Sequence, residues 1–166
     1  DLSKAEDVLK AVEGCDAVFH VAAKAGVWGE YDDYFSANVI GTRNVITACQ
    51  SHGVNYLLHT STPSVVYNGQ AISGGNESMA YGIDIPCIYP NTKVIAEKEA
   101  LAANTANGLQ VCSLRPHLIW GKGDPHIVPR LVARARQGRL RSIGDGINKV
   151  DITHVQNAAY AHILAL

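Results

Sequence analysis

Three short apolar runs, Ala17 to Ala22 (AVFHVA), Asn55 to Thr60 (NYLLHT) and Leu109 to Leu114 (LQVCSL), are separated by long connections that carry helical periodicity. This alternation limits the fold more than any other feature. Parallel strands need crossovers of a dozen or more residues, usually a helix, whereas antiparallel neighbours can be joined by a tight turn. The order strand, helix, strand, helix, strand therefore predicts an α/β domain built on a parallel sheet. AVFHVA is apolar enough for a strand buried on both faces.

The helices are read from spacing and punctuation. Leu2, Ala5, Val8, Leu9 and Val12 fall near helical spacing between Asp1 and Gly14,. Asp32 and Asp33 offer N-caps to a long helix whose apolar face is Phe35, Val39, Thr42, Ile46 and Cys49, ended by Gly53,. Residues 61–90 are rich in Gly, Ser, Asn and Pro and predict a long loop of functional character,. Pro90 suits the first turn of a helix reaching about Ala106, closed by Asn107-Gly108,. Val128, Leu131, Val132 and Ala135 predict a one-sided helix after Pro129 with Gly138 as its stop, and a last strand and helix are expected at Val150 to Thr153 and Val155 to Leu166. Past Pro116 the alternation weakens, so residues 117–166 are read as a small lobe added to the sheet of residues 1–116.

Composition narrows the function classes. The chain has 166 residues, 47% apolar, with 14 basic against 15 acidic side chains and a net charge of -1. That apolar share argues against disorder, and the charge balance gives no electrostatic reason for binding nucleic acid or an anionic membrane. Cys15, Cys49, Cys87 and Cys112 are far apart, with no Cys-x-x-Cys pair, and read as small apolar core residues of a reducing compartment,. The seven scattered histidines do not suggest a metal site,. No apolar run approaches the length of a membrane span, so a cytoplasmic protein is expected.

Chemistry concentrates at Tyr89 and Lys93, a Tyr-x-x-x-Lys spacing that puts both on one face at the start of a helix,. An ammonium near a phenol favours phenolate, as does the positive end of a helix dipole, so the pair predicts a base able to take a proton from an alcohol. The competing reading is a solvated lysine beside a half-buried tyrosine. Ser61, Thr62 and Ser64 directly follow the run NYLLHT, at the carboxyl end of a strand, where open α/β sheets place ligands. Turn-closing hydroxyls are the alternative there.

The ordered set FHVAA (19–23), NVIGT (38–42), STPSVVYNG (61–69), YPNTK (89–93) and LRPHLIWGKGD (114–124) resembles the extended short-chain dehydrogenase/reductases, within the NAD-dependent epimerase/dehydratase superfamily. It is most similar to the 3β-hydroxysteroid dehydrogenase group, which includes the sterol 4α-carboxylate 3-dehydrogenases. The resemblance implies a Rossmann-like, doubly wound parallel sheet, NAD or NADP as cofactor, and oxidation of a secondary alcohol, such as the 3β-hydroxyl of a steroid or sterol-like substrate. It gives Tyr89 the role of catalytic base and Lys93 that of ribose ligand. Thr62 would orient the substrate oxygen, with Ser61 as the neighbouring choice. Ala22 and Ala23 would lie beneath the cofactor with Asn38 behind it, Pro116 and Leu118 beside the nicotinamide carboxamide, and Asp1 and Leu2 at the adenine. Homodimer formation through the helices around Asn38 and Asn91 is compatible with the resemblance.

The chain departs from the family at two points. No Gly-x-x-Gly-x-x-Gly loop is present to cradle a pyrophosphate at a helix N-terminus,. This leads to the expectation of a Rossmann domain incomplete at its start, and to the alternative of a truncated, non-catalytic piece that binds no cofactor alone. Gln156 stands where relatives carry Asp, at the entry to the last helix. A nucleotide-sugar epimerase or dehydratase is the enzymatic alternative, since Arg130, Arg134, Arg136, Arg139 and Arg141 form either a solvated face or a diphosphate site. Trp28 and Trp120 suit an apolar pocket or core packing equally, and His117 reads as a hydrogen-bonded loop residue.

Overall fold

The computed structural model describes every residue except Val27, Asp84, His126 and Ile143. The chain divides into two compact units, residues 1–115 with 165–166, and residues 116–164.

In the first unit, α1 (Ala5–Val12) leads into β1 (Ala17–His20) through Gly14, whose φ of +74° makes the turn. Next comes one continuous helical stretch: α2 (Tyr31–Tyr34), a π-helical segment (Phe35–Ile40) and α3 (Gly41–Ser51). The strand β2 (Tyr56–Thr60), a 3₁₀ turn (Pro63–Val66), α4 (Ile88–Ala102) and β3 (Gln110–Leu114) complete the unit. The strands pair in parallel in the order β1-β2-β3, with His20 beside His59 and His59 beside Ser113. The architecture is the expected Rossmann-like α/β class. One core cluster joins Val8 and Val12 of α1 to Val45, Ala48 and Cys49 of α3 and Leu57 of β2. A second, Val65, Val66, Ile85 and Val94, with Met79, Tyr81 and Cys87 against it, packs these loop residues onto α4.

Several sequence expectations are corrected. AVFHVA is not buried on both faces in this chain: Phe19 and Val21, two apart and so on one face, are exposed, while His20 on the other is buried,. The long helix starts at Tyr31 with Glu30, not Asp32 or Asp33, at its cap, and Asp33 pairs instead with Lys24 at 2.6 Å. The π segment shifts the buried face to Tyr34, Asn38, Val39, Thr42, Val45, Ala48 and Cys49, leaving Phe35 and Ile46 half-buried, because a wider turn advances the helical phase,. The helix expected to reach Ala106 ends at Ala102. Of the four cysteines only Cys49 is fully buried, and Cys15 is exposed.

In the second unit, β4 (Ile119–Trp120) pairs in parallel with β5 (Thr153–His154), and α5 (Ile127–Arg136) and α6 (Val155–Leu164) complete it. The last strand lies at 153–154 rather than 150–153, and its partner β4 had no strand signal of its own. The apolar stripe of α5 does not enter a core: Val128, Leu131 and Val132 are 41%, 50% and 42% exposed. The arginines of this region are exposed as well. The entry to α6 is capped by His154, whose ring accepts from the Gln156 N–H at 3.3 Å, which supplies an acceptor that Gln156 need not provide. Trp120 meets the His154 ring edge-on, while Trp28 of the first unit is 89% exposed and belongs to no core.

Candidate active site

The carboxyl end of β2 and the first turns of α4 bring the reactive residues together. With Cys87 at the cap, Pro90 occupies the third helical position, where its missing N–H costs nothing,. From there Tyr89, Lys93 and Glu97 follow at four-residue intervals on one face,. Thr62, two residues past β2, caps the 3₁₀ turn by accepting from the Ser64 N–H at 3.3 Å, and its hydroxyl faces the Tyr89 phenol closely enough to influence its titration. Turn chemistry and contact with Tyr89 are thus both true of this one side chain.

The electrostatics differ from the sequence expectation. Burial pushes the Tyr89 phenol above its ordinary value, and the facing Thr62 hydroxyl draws it only part of the way back. Lys93 is turned into β2, where Nζ donates to the Thr60 carbonyl at 2.8 Å and meets His59 Nε2 at 3.1 Å. The expected lowering of the phenol by Lys93 is therefore not expressed in this arrangement. Lys93 is only 2% exposed, and burial lowers its pKa to about 8 against the opposing pull of the Glu97 charge.

Glu97, 1% exposed, closes this face of the helix. It accepts from Arg115 through both Nε and Nη2, and from the Tyr81 hydroxyl at 2.9 Å. Burial alone would raise the carboxyl, but Arg115 and the neighbouring hydroxyls hold it below the usual range. Ser61 contributes to this by facing Glu97, although its oxygen meets no partner at full hydrogen-bond geometry. Of the two candidate hydroxyls, then, Thr62 faces Tyr89 and Ser61 faces Glu97.

Asn38 lies in the π segment. Its amide donates to the Lys24 carbonyl and to Thr92 Oγ1, both at 3.0 Å, and accepts from the Lys24 N–H at 2.7 Å. It thereby ties the chain after β1 to α4. Ala22 and Ala23, the two residues before Lys24, are exposed. Asp1 and Leu2 are engaged locally: the Asp1 carboxylate accepts from Ser3, and the Leu2 carbonyl accepts from Asn44 on α3 at 2.8 Å. Pro116 and Leu118 belong to the second unit, where the Leu118 carbonyl and that of His117 accept from the Thr153 N–H and His117 bonds Asp151 at 3.2 Å.

A sequence profile of the 3-beta hydroxysteroid dehydrogenase/isomerase family matches residues 1–166. The chain belongs to this family. Among relatives in it, a 2-alkyl-3-oxoalkanoate reductase of Stenotrophomonas maltophilia is 56% identical over 167 residues, which are 99% of this chain and 50% of the relative. The human sterol-4-alpha-carboxylate 3-dehydrogenase, decarboxylating, is 37% identical over 99% of this chain and 45% of its own. A solved Thermus thermophilus UDP-glucose 4-epimerase in complex with NAD superposes at a TM-score of 0.78 with 28% identity, over 100% of this chain and 58% of that one. The chain thus spans about half the length of these relatives.

Sequence reasoning missed His59, Thr92, Glu97, Arg115 and Tyr81. Glu97 carried a usable signal, being one turn beyond Lys93 on the Tyr89 face. The others carried none, because contacts such as Tyr81 with Glu97 join residues with no periodic relation in the sequence.

Proposed function

We propose that the protein carrying this chain is an NAD(P)-dependent oxidoreductase that interconverts a ketone and a secondary alcohol on the carbon next to one bearing a carboxylate. The observation that carries this reading is the meeting of the Tyr89 phenol with Thr62 beside the buried Lys93, at the end of a parallel strand,. The nicotinamide-ribose half of the cofactor suits what is present: an exposed, small-residue backbone at Ala22 and Ala23, and a buried ammonium within one helical turn of Tyr89. The glycine-rich turn that would hold the pyrophosphate is not among these residues.

When bound, the cofactor supplies or accepts the hydride at the carbon. In the reductive direction the Tyr89 hydroxyl gives its proton to the substrate oxygen, and Thr62 holds that oxygen in line. A phenol raised by burial suits a proton donor. In the oxidative direction the proton returns to Tyr89, and Lys93, once its N–H reaches the ribose hydroxyls, favours the phenolate.

Support for the substrate class comes from two relatives' names. A 2-alkyl-3-oxoalkanoate carries its ketone one carbon from the carbon that bears the carboxylate. A sterol 4α-carboxylate acted on at C3 has the same relation, since C3 and C4 are neighbours. A steroid-like 3β-alcohol and an acyclic 3-oxo acid are therefore two forms of one reacting unit, and the higher identity of the reductase favours the acyclic form. The full-length protein is expected to oxidise NAD(P)H with a 2-alkyl-3-oxoalkanoate. Tyr89→Phe should cut kcat by at least about a hundredfold and leave cofactor affinity near that of the parent. Turnover confined to a UDP-sugar would overturn the assignment.

A further inference from the structure

Lys93 leans on His59, a side chain with no part in the reaction above. His59 is wholly buried, and in the sheet it stands between its register partners His20 on β1 and Ser113 on β3. An ammonium has three donors and no acceptor, so the 3.1 Å approach of Lys93 Nζ to His59 Nε2 requires a lone pair on that nitrogen,. The ring proton then belongs on Nδ1, which lies 3.0 Å from Ser113 Oγ and donates to it. The opposite tautomer would aim two donors at each other. Burial, together with the charge of Lys93 and the neighbouring His20, pushes His59 down to about 2 and so keeps it neutral, with one nitrogen free to accept.

His20 is ordered in a complementary way. Thr42 Oγ1 donates to the Asn38 carbonyl at 2.6 Å and therefore accepts from His20 Nε2 at 2.9 Å. The two imidazoles, 5.6 Å apart, thus present opposite polarity at Nε2. Of these two Nε2 atoms, only that of His59 offers an acceptor to the lysine.

We propose that His59, held in its Nδ1–H tautomer by Ser113, is a positioning residue for Lys93. A lysine ammonium is ordinarily a rotating point charge on a flexible stem. Here β2 fixes two of its three N–H bonds, one to the Thr60 carbonyl and one to His59. Tetrahedral geometry then leaves the third a single direction. This rests on the reading of Lys93 as the ribose ligand, and it gives that ligand a defined aim. The titratable groups facing Lys93 are His20 from β1, His59 from β2, and Glu97 and Tyr89 one turn to either side on α4.

The tautomer is read directly by nitrogen NMR of histidine-labelled full-length protein: a protonated Nδ1 and an unprotonated Nε2 on His59 are expected, and a protonated Nε2 at neutral pH would overturn the proposal. His59→Leu should weaken NAD(P)H binding about tenfold and move the alkaline limb of the rate profile about one pH unit lower, since the ammonium loses an acceptor. His59→Gln, which keeps an acceptor near the Nε2 position, should stay within about threefold of the parent, and Ser113→Ala should fall between. A folded His59→Leu protein with parental affinity and profile overturns the proposal. Lys93→Met separates the two levels: weak binding there with normal binding in His59→Leu removes only the role of His59, whereas normal binding in both removes the ribose-ligand reading with it. Should His59→Leu fail to fold, the tautomer and Ser113→Ala decide.

Discussion

A lysine with 2% of its surface exposed is costly to keep charged, and at Lys93 the Glu97 charge opposes the effect of burial. Its folded pKa, about 8, lies below the unfolded reference of 10.5. Between those values the unfolded chain binds the proton and the folded one does not, so stability attributable to this site rises with pH across that window. Relative to Lys93→Met, the parent should gain up to about 1.4 kcal/mol per pH unit from pH 8 upward, read from denaturant unfolding at several pH values. A flat difference would mean that Lys93 is not held in the buried state described. At this scale the sequence was informative about Tyr89 and Lys93, because a four-residue interval on a helix is a local fact. The direction in which Lys93 points was not legible, since His59 lies 34 positions away on another element.

The helix α4 does more than present two side chains. Through Glu97 it binds Arg115 at the end of β3 and Tyr81 from the long loop, while Val94 anchors Val65, Val66 and Ile85. The described residues of this loop thereby form a wall that carries Thr62. Glu97→Ala leaves the Arg115 charge and the Tyr81 hydroxyl without their shared acceptor, and should cost about 3 kcal/mol or more of stability. Limited proteolysis should then cut within the loop at protease concentrations that spare the parent; unchanged stability and cleavage would show that the pair does not hold the loop. Element existence was readable from periodicity and punctuation, since α1, α4 and the three main strands lie near their expected places. The π segment was not: its widened turn accompanies the contacts of Asn38 with Lys24 and Thr92, which no apolar pattern encodes. The weak strands β4 and β5, two residues each, define each other by pairing and have no composition of their own.

Across the molecule, burial is uneven. Leu57, Leu58 and His59 of the central strand β2 are at most 1% exposed, whereas no described residue of α5 is buried. Hydrogen exchange should accordingly protect β2 amides over those of α5 by at least about two orders of magnitude. Comparable rates in the two elements would mean that α5 is sheltered in solution by contacts other than those described. The sequence by itself determined the α/β class, the parallel crossovers and the Tyr89–Lys93 interval, because each follows from apolar spacing and connection length along a single stretch of chain. Only the tertiary structure decided that Thr62 rather than Ser61 meets the phenol, that Lys93 is committed to β2, and that Glu97 clasps the loop. Those outcomes depend on which side chains from separate elements arrive at one buried point, and on the cost of leaving any polar group there without a partner.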